Sequence, residues 1–123
     1  MATDLTVGLV DRPGSLAQAS DVLGRAGINV DGAAGYVCDG EGVFHVLVVD
    51  AERARRALID SGFEIQAERQ VVTVPVANQP GEGARLLRRL ADANVNIDLV
   101  YTTLAGELVL GSDDLGALRA ALA

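Results

Sequence analysis

An α+β fold made of two tandem β-α-β-β-α-β units is predicted by three observations. The chain repeats itself at an offset of 67 residues, each copy arranges its apolar periodicities in the same order, and no Gly/Ser-rich or Pro-rich linker parts the copies. The repeat is clearest where Asp11 to Asp31, DRPGSLAQASDVLGRAGINVD, aligns with Asn78 to Asp98, NQPGEGARLLRRLADANVNID. Seven of these 21 positions are identical, including Pro13/Pro80, Gly14/Gly81, Leu23/Leu90 and Asn29/Asn96. A repeat at fixed offset marks one structural unit written twice. Halves of about 60 residues have marginal cores, so they are expected to pack together or share a sheet. The boundary is expected at the stretch Glu68-Arg69-Gln70, giving units 1–69 and 70–123.

The elements follow in order. Leu5 to Val10 is a run of β-branched and apolar residues that stops at the turn signal Asp11-Arg12-Pro13-Gly14. Leu16, Ala19, Leu23 and Ala26 then recur at spacings of three and four, which places them on one helix face. Gly27 ends that helix as a left-handed C-terminal residue. Ile28 to Cys38 reads as a second strand, Asp39-Gly40-Glu41-Gly42 as a hairpin turn, and Val43 to Val49 as a third strand. Ala51 to Ser61 is a second helix closed by Gly62, followed by a strand through Phe63, Ile65 and Ala67. The second copy gives strand Val71–Val76, helix Glu82–Ala93, strand Val95–Thr103, strand Glu107–Gly111 and helix Asp114–Ala123, and its last strand is missing. This order makes ferredoxin-like sandwiches, antiparallel sheets with both helices on one face. The third strand is apolar at both parities apart from His45, so its second face is expected to be covered, which predicts self-association.

Composition removes several function classes. The 123 residues carry 10 Lys plus Arg against 17 Asp plus Glu, a formal net charge of -7, with two Tyr, two Phe and no Trp. Nucleic-acid binders neutralise phosphates with clustered cations and stack bases on aromatics, and this chain offers neither. The longest near-continuous apolar run, seven residues from Val43 to Val49, falls far short of the roughly 20 that span a bilayer, so no membrane partner is expected. The N-terminus lacks the basic and apolar regions of a secretory signal, which points to the cytoplasm. Cys38, the one cysteine, is expected to stay reduced and structural.

The strand, then Asp11-Arg12-Pro13-Gly14-Ser15-Leu16, then helix, then Gly27-Ile28-Asn29-Val30, resembles the opening of the ACT domain family, small ligand-binding modules that regulate amino-acid metabolism. The second copy matches more loosely through Asn78-Gln79-Pro80-Gly81 and Asn94-Val95-Asn96-Ile97, so the likeness covers nearly the whole chain as a stand-alone pair of ACT units. The resemblance implies side-by-side association, a dimer first, with an effector such as an amino acid bound at domain interfaces. It implies Asp11, Arg12, Gly14, Ser15 and Leu16 on one wall of that site, with Asn29 and Val30 nearby. In the second copy it implies Asn78, Gln79, Gly81, Glu82, Gly83 and Asn96.

The physics of the turn agrees. A helix N-terminus presents unpaired N–H donors and partial positive charge, a seat for a carboxylate. Gly14 carries no Cβ to hold a ligand off the backbone, and Pro13 gives up no useful donor at the helix entrance. Asp11, Asn29 or Asp31 can accept from an ammonium group. The same residues also suit a purely structural turn, with Ser15, Asn29 and Asn96 tying down local backbone. The second copy departs from the first where Leu16 becomes Gly83 and Asp11-Arg12 becomes Asn78-Gln79, so the two sites are not expected to be equivalent.

Chemistry is thinly provided. His45 stands in an apolar strand with no sequence pattern naming an orienting carboxylate; it reads as a satisfied, half-buried residue or a pH-sensitive interface group. One His and one Cys do not make a metal cluster, and no cofactor motif is present. Asp50, Glu52 and Asp113-Asp114 read as helix N-terminal charges, and the Arg clusters 53/55/56 and 85/88/89 as solvated faces. The sequence therefore predicts a non-catalytic regulatory protein that takes an amino acid or similar metabolite and signals through association, with a regulated enzyme or other protein as partner. A ligand-free oligomerisation module or regulatory subunit is the alternative, because an open strand position can accept a strand from elsewhere.

Overall fold

A computed structural model describes residues 2–123. The chain divides into two compact units, one ending at Gln70 and the other spanning Val71–Ala123. The first contains β1 (Thr3–Val10), α1 (Ser15–Arg25), β2 (Gly32–Cys38), β3 (Glu41–Val48), α2 (Ala51–Asp60) and β4 (Glu64–Gln70). The second contains β5 (Val72–Pro75), α3 (Glu82–Asp92), β6 (Leu99–Thr102), β7 (Glu107–Gly111) and α4 (Leu115–Leu122), and no strand follows α4 among the described residues. The strand order is β2-β3-β1-β4 in the first sheet and β5-β7-β6 in the second, all pairs antiparallel. Both units have the ferredoxin-like order, the second without its fourth strand.

Alternation along β1 sets the faces of the first sheet. Leu5, Val7 and Leu9 join Phe44, Val46 and Val48 of β3 in a core closed by Ala19 and Leu23 of α1 and Ala54 and Leu58 of α2. The other parity carries Asp4, Thr6, His45 and Leu47, and these are buried too. Asp4, fully buried, accepts from His45 Nδ1 at 3.0 Å and from the Thr6 hydroxyl at 3.3 Å. His45 is thus more enclosed than the sequence suggests, and it has the carboxylate partner that no local motif announced. In the second unit Leu90, Val95, Leu110 and Leu118 form the core.

Local chemistry explains the element ends. Gly27 adopts φ 73° after α1, and Ile28 N–H donates to the Leu23 carbonyl at 3.0 Å, a bond that spans the left-handed residue and closes the helix. Asn94 takes the equivalent place after α3 with φ 60°, and Val95 N–H donates to Leu90. These closures correct two expectations. The second strands start at Gly32 and Leu99, four residues later than the apolar runs suggest, because Ile28 and Val95 plug the cores as the helices close. The β2–β3 turn narrows to Asp39-Gly40, both left-handed (φ 52° and 78°), so Glu41 and Gly42 belong to β3. Helices α2 and α4 are capped by Asp50 and Asp114, which accept from the N–H groups of Arg53 and Ala117.

Candidate functional site

Of the expected face of α1, Ala19 and Leu23 are buried and Ala26 packs half-buried against the same core, but Leu16 is exposed and Ser15, four residues before Ala19, is buried instead. Leu16 stands about 100° round the helix from Ser15, at the edge of that face, and is exposed, while Gly14 holds the N-cap with φ 94° and ψ −15°. No side chain caps this helix, nor α3, which starts in the same way from Gly81 (φ 85°). Contrast with α2 and α4 is sharp: the two repeated turns keep their helix N-termini open, while the other two close theirs with carboxylates.

Helix α1 packs on β1 and α2 on β1 and β4, over a core shared with β3, and β2 is left at the sheet edge with its helix-side positions Ala33, Gly35 and Val37 exposed. Between that uncovered strand and the β1–α1 turn lies an open cavity of about 520 Å³. Its walls are the turn residues Asp11 to Leu16, the β2 residues Ala33 to Val37, and Leu9, Val10 and Gly42 to Phe44 of the central strands. Of the residues expected at a ligand, the cavity gathers Asp11, Arg12, Gly14, Ser15 and Leu16. Asn29 and Val30 are not on its wall. They follow the C-terminus of α1, whose 11 residues alone span about 16 Å, and Asn29 Nδ2 donates to Asp31 Oδ1 at 2.6 Å.

Ser15 is 7% exposed, and its hydroxyl makes no hydrogen bond to any described residue. It lines this cavity and also a neighbouring, more polar one of about 570 Å³ on the β4 side of the same turn, which contains Gln18, Glu41, Glu64 and Gln66. Asp11 and Arg12 border both cavities, and their side chains form no ion pair among the described residues. The turn therefore presents one anion, one cation and one hydroxyl without protein partners, beside an apolar wall and a helix N-terminus that no side chain caps, whose first N–H, that of Ser15, donates to the Arg12 carbonyl at 3.3 Å.

At the corresponding place in the second unit the cavity is smaller, about 240 Å³, and is lined by Pro75 to Ala77, Glu82, Arg85, Leu86 and Arg89. Glu82 is on its wall; Asn78, Gln79, Gly81, Gly83 and Asn96 are not. Arg85 Nη2 stands 3.6 Å from Glu82 Oε1, so these charges meet each other. The sequence reading missed the Asp4–Thr6–His45 cluster, although strand parity held the signal: Asp4 and Thr6 alternate with Leu5 and Val7, and Thr6 faces His45 across the β1–β3 ladder. Neither cavity at the β1–α1 turn reaches this cluster. Among the described residues no group of three or more His, Cys, Asp or Glu is placed to hold a metal ion, and no helix is long and apolar enough to cross a membrane.

A βαββαβ unit with an open, uncommitted pocket at its first turn is the form of a small-molecule-binding module. Residues 3–58, most of the first unit, match the model of the ACT domain family. The second unit repeats the same fold as far as its last helix, so the chain carries ACT-like units in tandem. The fold is similar over 98% of the chain to a protein from Bacteroides thetaiotaomicron at 24% identity, covering 85% of that chain with a TM-score of 0.87. It is also similar to the regulatory subunits of aspartate kinase from Thermus thermophilus (23% identity, 98% of this chain, 89% of that one, TM-score 0.72) and Thermus flavus (22%, 98%, 90%, 0.72). No curated protein sequence matches the chain significantly.

Proposed function

We propose that this chain is a non-catalytic regulatory protein whose first unit binds an amino acid or a similar small zwitterionic metabolite at the β1–α1 turn. The observation that carries the reading is the Ser15 hydroxyl, which has no protein partner and is open to a cavity bordered by the unpaired charges of Asp11 and Arg12. The α1 N–H groups with Arg12 receive a carboxylate, and Asp11 accepts from an ammonium group. The ACT match over residues 3–58 supports a small-molecule role, and the fold shared with aspartate kinase regulatory subunits agrees with a regulatory one.

Output is through association. The cavity opens at the free edge of β2, and Val10, Leu16, Tyr36 and Val37 around it are each more than half exposed. A second copy brought alongside this edge covers those side chains and closes the cavity, so occupancy and dimerisation become linked by whatever affinity difference the ligand has for the two states. A regulated enzyme reads the assembled form. The same exposed rim favours a second reading, an oligomerisation module with no ligand.

A thermal-shift screen against the twenty amino acids, with sedimentation of the protein alone and with each hit, separates the two. A ligand at about 100 times its dissociation constant stabilises the fold by about 2.7 kcal/mol. The proposal expects a specific hit that also changes the sedimentation behaviour. A dimer that forms in buffer and responds to no amino acid supports the ligand-free module instead.

A further inference from the structure

We infer that the effector of the first-unit cavity carries a branched aliphatic or aromatic side chain, seated over Gly35. This rests on the reading of that cavity as an amino-acid site and names the class of amino acid. The charges at the turn are one Asp and one Arg, enough for the two charges of a zwitterion and no more. Away from the turn the wall contains Leu9, Ala33, Val37, Val43 and Phe44, with no further charged residue. A lysine-like or aspartate-like side chain there loses water without gaining a partner. An apolar one gains contact with Phe44 and Val37.

Gly35 is the second observation. It lies in the middle of β2, opposite Phe44 in the ladder and on the cavity's face of the sheet. Glycine inside a strand weakens it, and commonly marks a place where another group approaches closely. Nothing within the protein demands glycine here: its φ is ordinary, and an added Cβ would lie 3.8 Å from Phe44 Cδ1 and from the Val43 carbonyl oxygen, normal contact distances. What the missing side chain preserves is open volume above Phe44. The neighbouring Tyr36 does not fill it, since its ring stacks with His45 on the other face of the sheet, with ring centroids 5.9 Å apart. A cavity of about 520 Å³ is in the range of small-molecule sites and has space for a large side chain beyond the zwitterionic head.

The test is calorimetry of the full chain with leucine, valine, methionine and phenylalanine against alanine, serine, lysine and aspartate, on the wild type and on Gly35→Val. Valine suits a strand, so this variant should fold, which its unliganded melting curve checks. The expected result is tighter binding of the large apolar amino acids than of alanine by at least about tenfold, and a loss of at least about tenfold for them in Gly35→Val. Tighter binding of lysine, aspartate or serine than of leucine and phenylalanine overturns the inference while leaving the site reading intact. Large apolar ligands that bind Gly35→Val as well as the wild type overturn the seat over Gly35. Silence from all eight removes the site reading itself. Should Gly35→Val fail to fold, the wild-type ranking alone decides the side-chain class.

Discussion

Two glycines ten residues apart on α1 should answer the same substitution with opposite signs. Gly14 and Gly24 both face open space, with no heavy atom within 4 Å of an added Cβ, so a methyl group collides with nothing at either position. The difference is in the backbone. Gly14 sits at φ 94° and ψ −15°, where an L side chain costs about 1–2 kcal/mol. Gly24 lies inside the helix, exposed, where alanine gains about 0.5–1 kcal/mol over glycine. Gly14→Ala and Gly24→Ala should therefore differ by about 1.5–3 kcal/mol. With a urea slope of about 1–3 kcal/mol/M their midpoints should separate by on the order of 1 M, at unchanged slope. The assay is equilibrium urea unfolding followed by circular dichroism. Midpoints that move in the same direction would show that the turn does not hold Gly14 in a left-handed conformation, and the open α1 N-terminus would fall with it.

Asp50→Ala removes the cap that accepts from Arg53 N–H and should cost about 1 kcal/mol, whereas Glu52→Ala, which breaks only an exposed pair with Arg56, should stay within about 0.5 kcal/mol by the same unfolding assay. Asp4→Ala takes away an acceptor shared by Thr6 and His45 in a fully buried position and should cost about 1–3 kcal/mol, with Asp4→Asn costing less because an acceptor oxygen remains; equal losses would mean the carboxylate serves only to fill space.

Much of this architecture is legible in the sequence because local rules and the global fold agree. The repeat at offset 67, the alternation of β1, and Gly27 and Gly62 after their helices each name the element that forms. The readings that needed correction involve information the chain does not carry locally. Leu16 is an apolar residue at helical spacing, but it stands about 100° round the helix from Ser15, and only the seating of α1 on the sheet decides that Ser15 is turned in and Leu16 out. Ile28 and Val95 belong to apolar runs that look like strands, yet a bond from each back to the preceding helix fixes them as plugs. The partner of His45 is 41 residues away and emerges only when β1 and β3 pair in register. Likewise, the turn's residues could be named from the motif, but the cavity depends on which strand the helices leave uncovered, and that is a property of the packed unit.

The most direct test is a calorimetric titration of the full chain with the amino acid that gives the largest thermal shift, repeated on Asp11→Ala/Arg12→Ala and on Glu82→Ala/Arg85→Ala. These double variants alter the charges of the first-unit and second-unit cavities respectively. The account predicts one ligand per chain, affinity lost in the first variant and kept in the second. Binding that survives the loss of Asp11 and Arg12, or disappears only with Glu82 and Arg85, would contradict it.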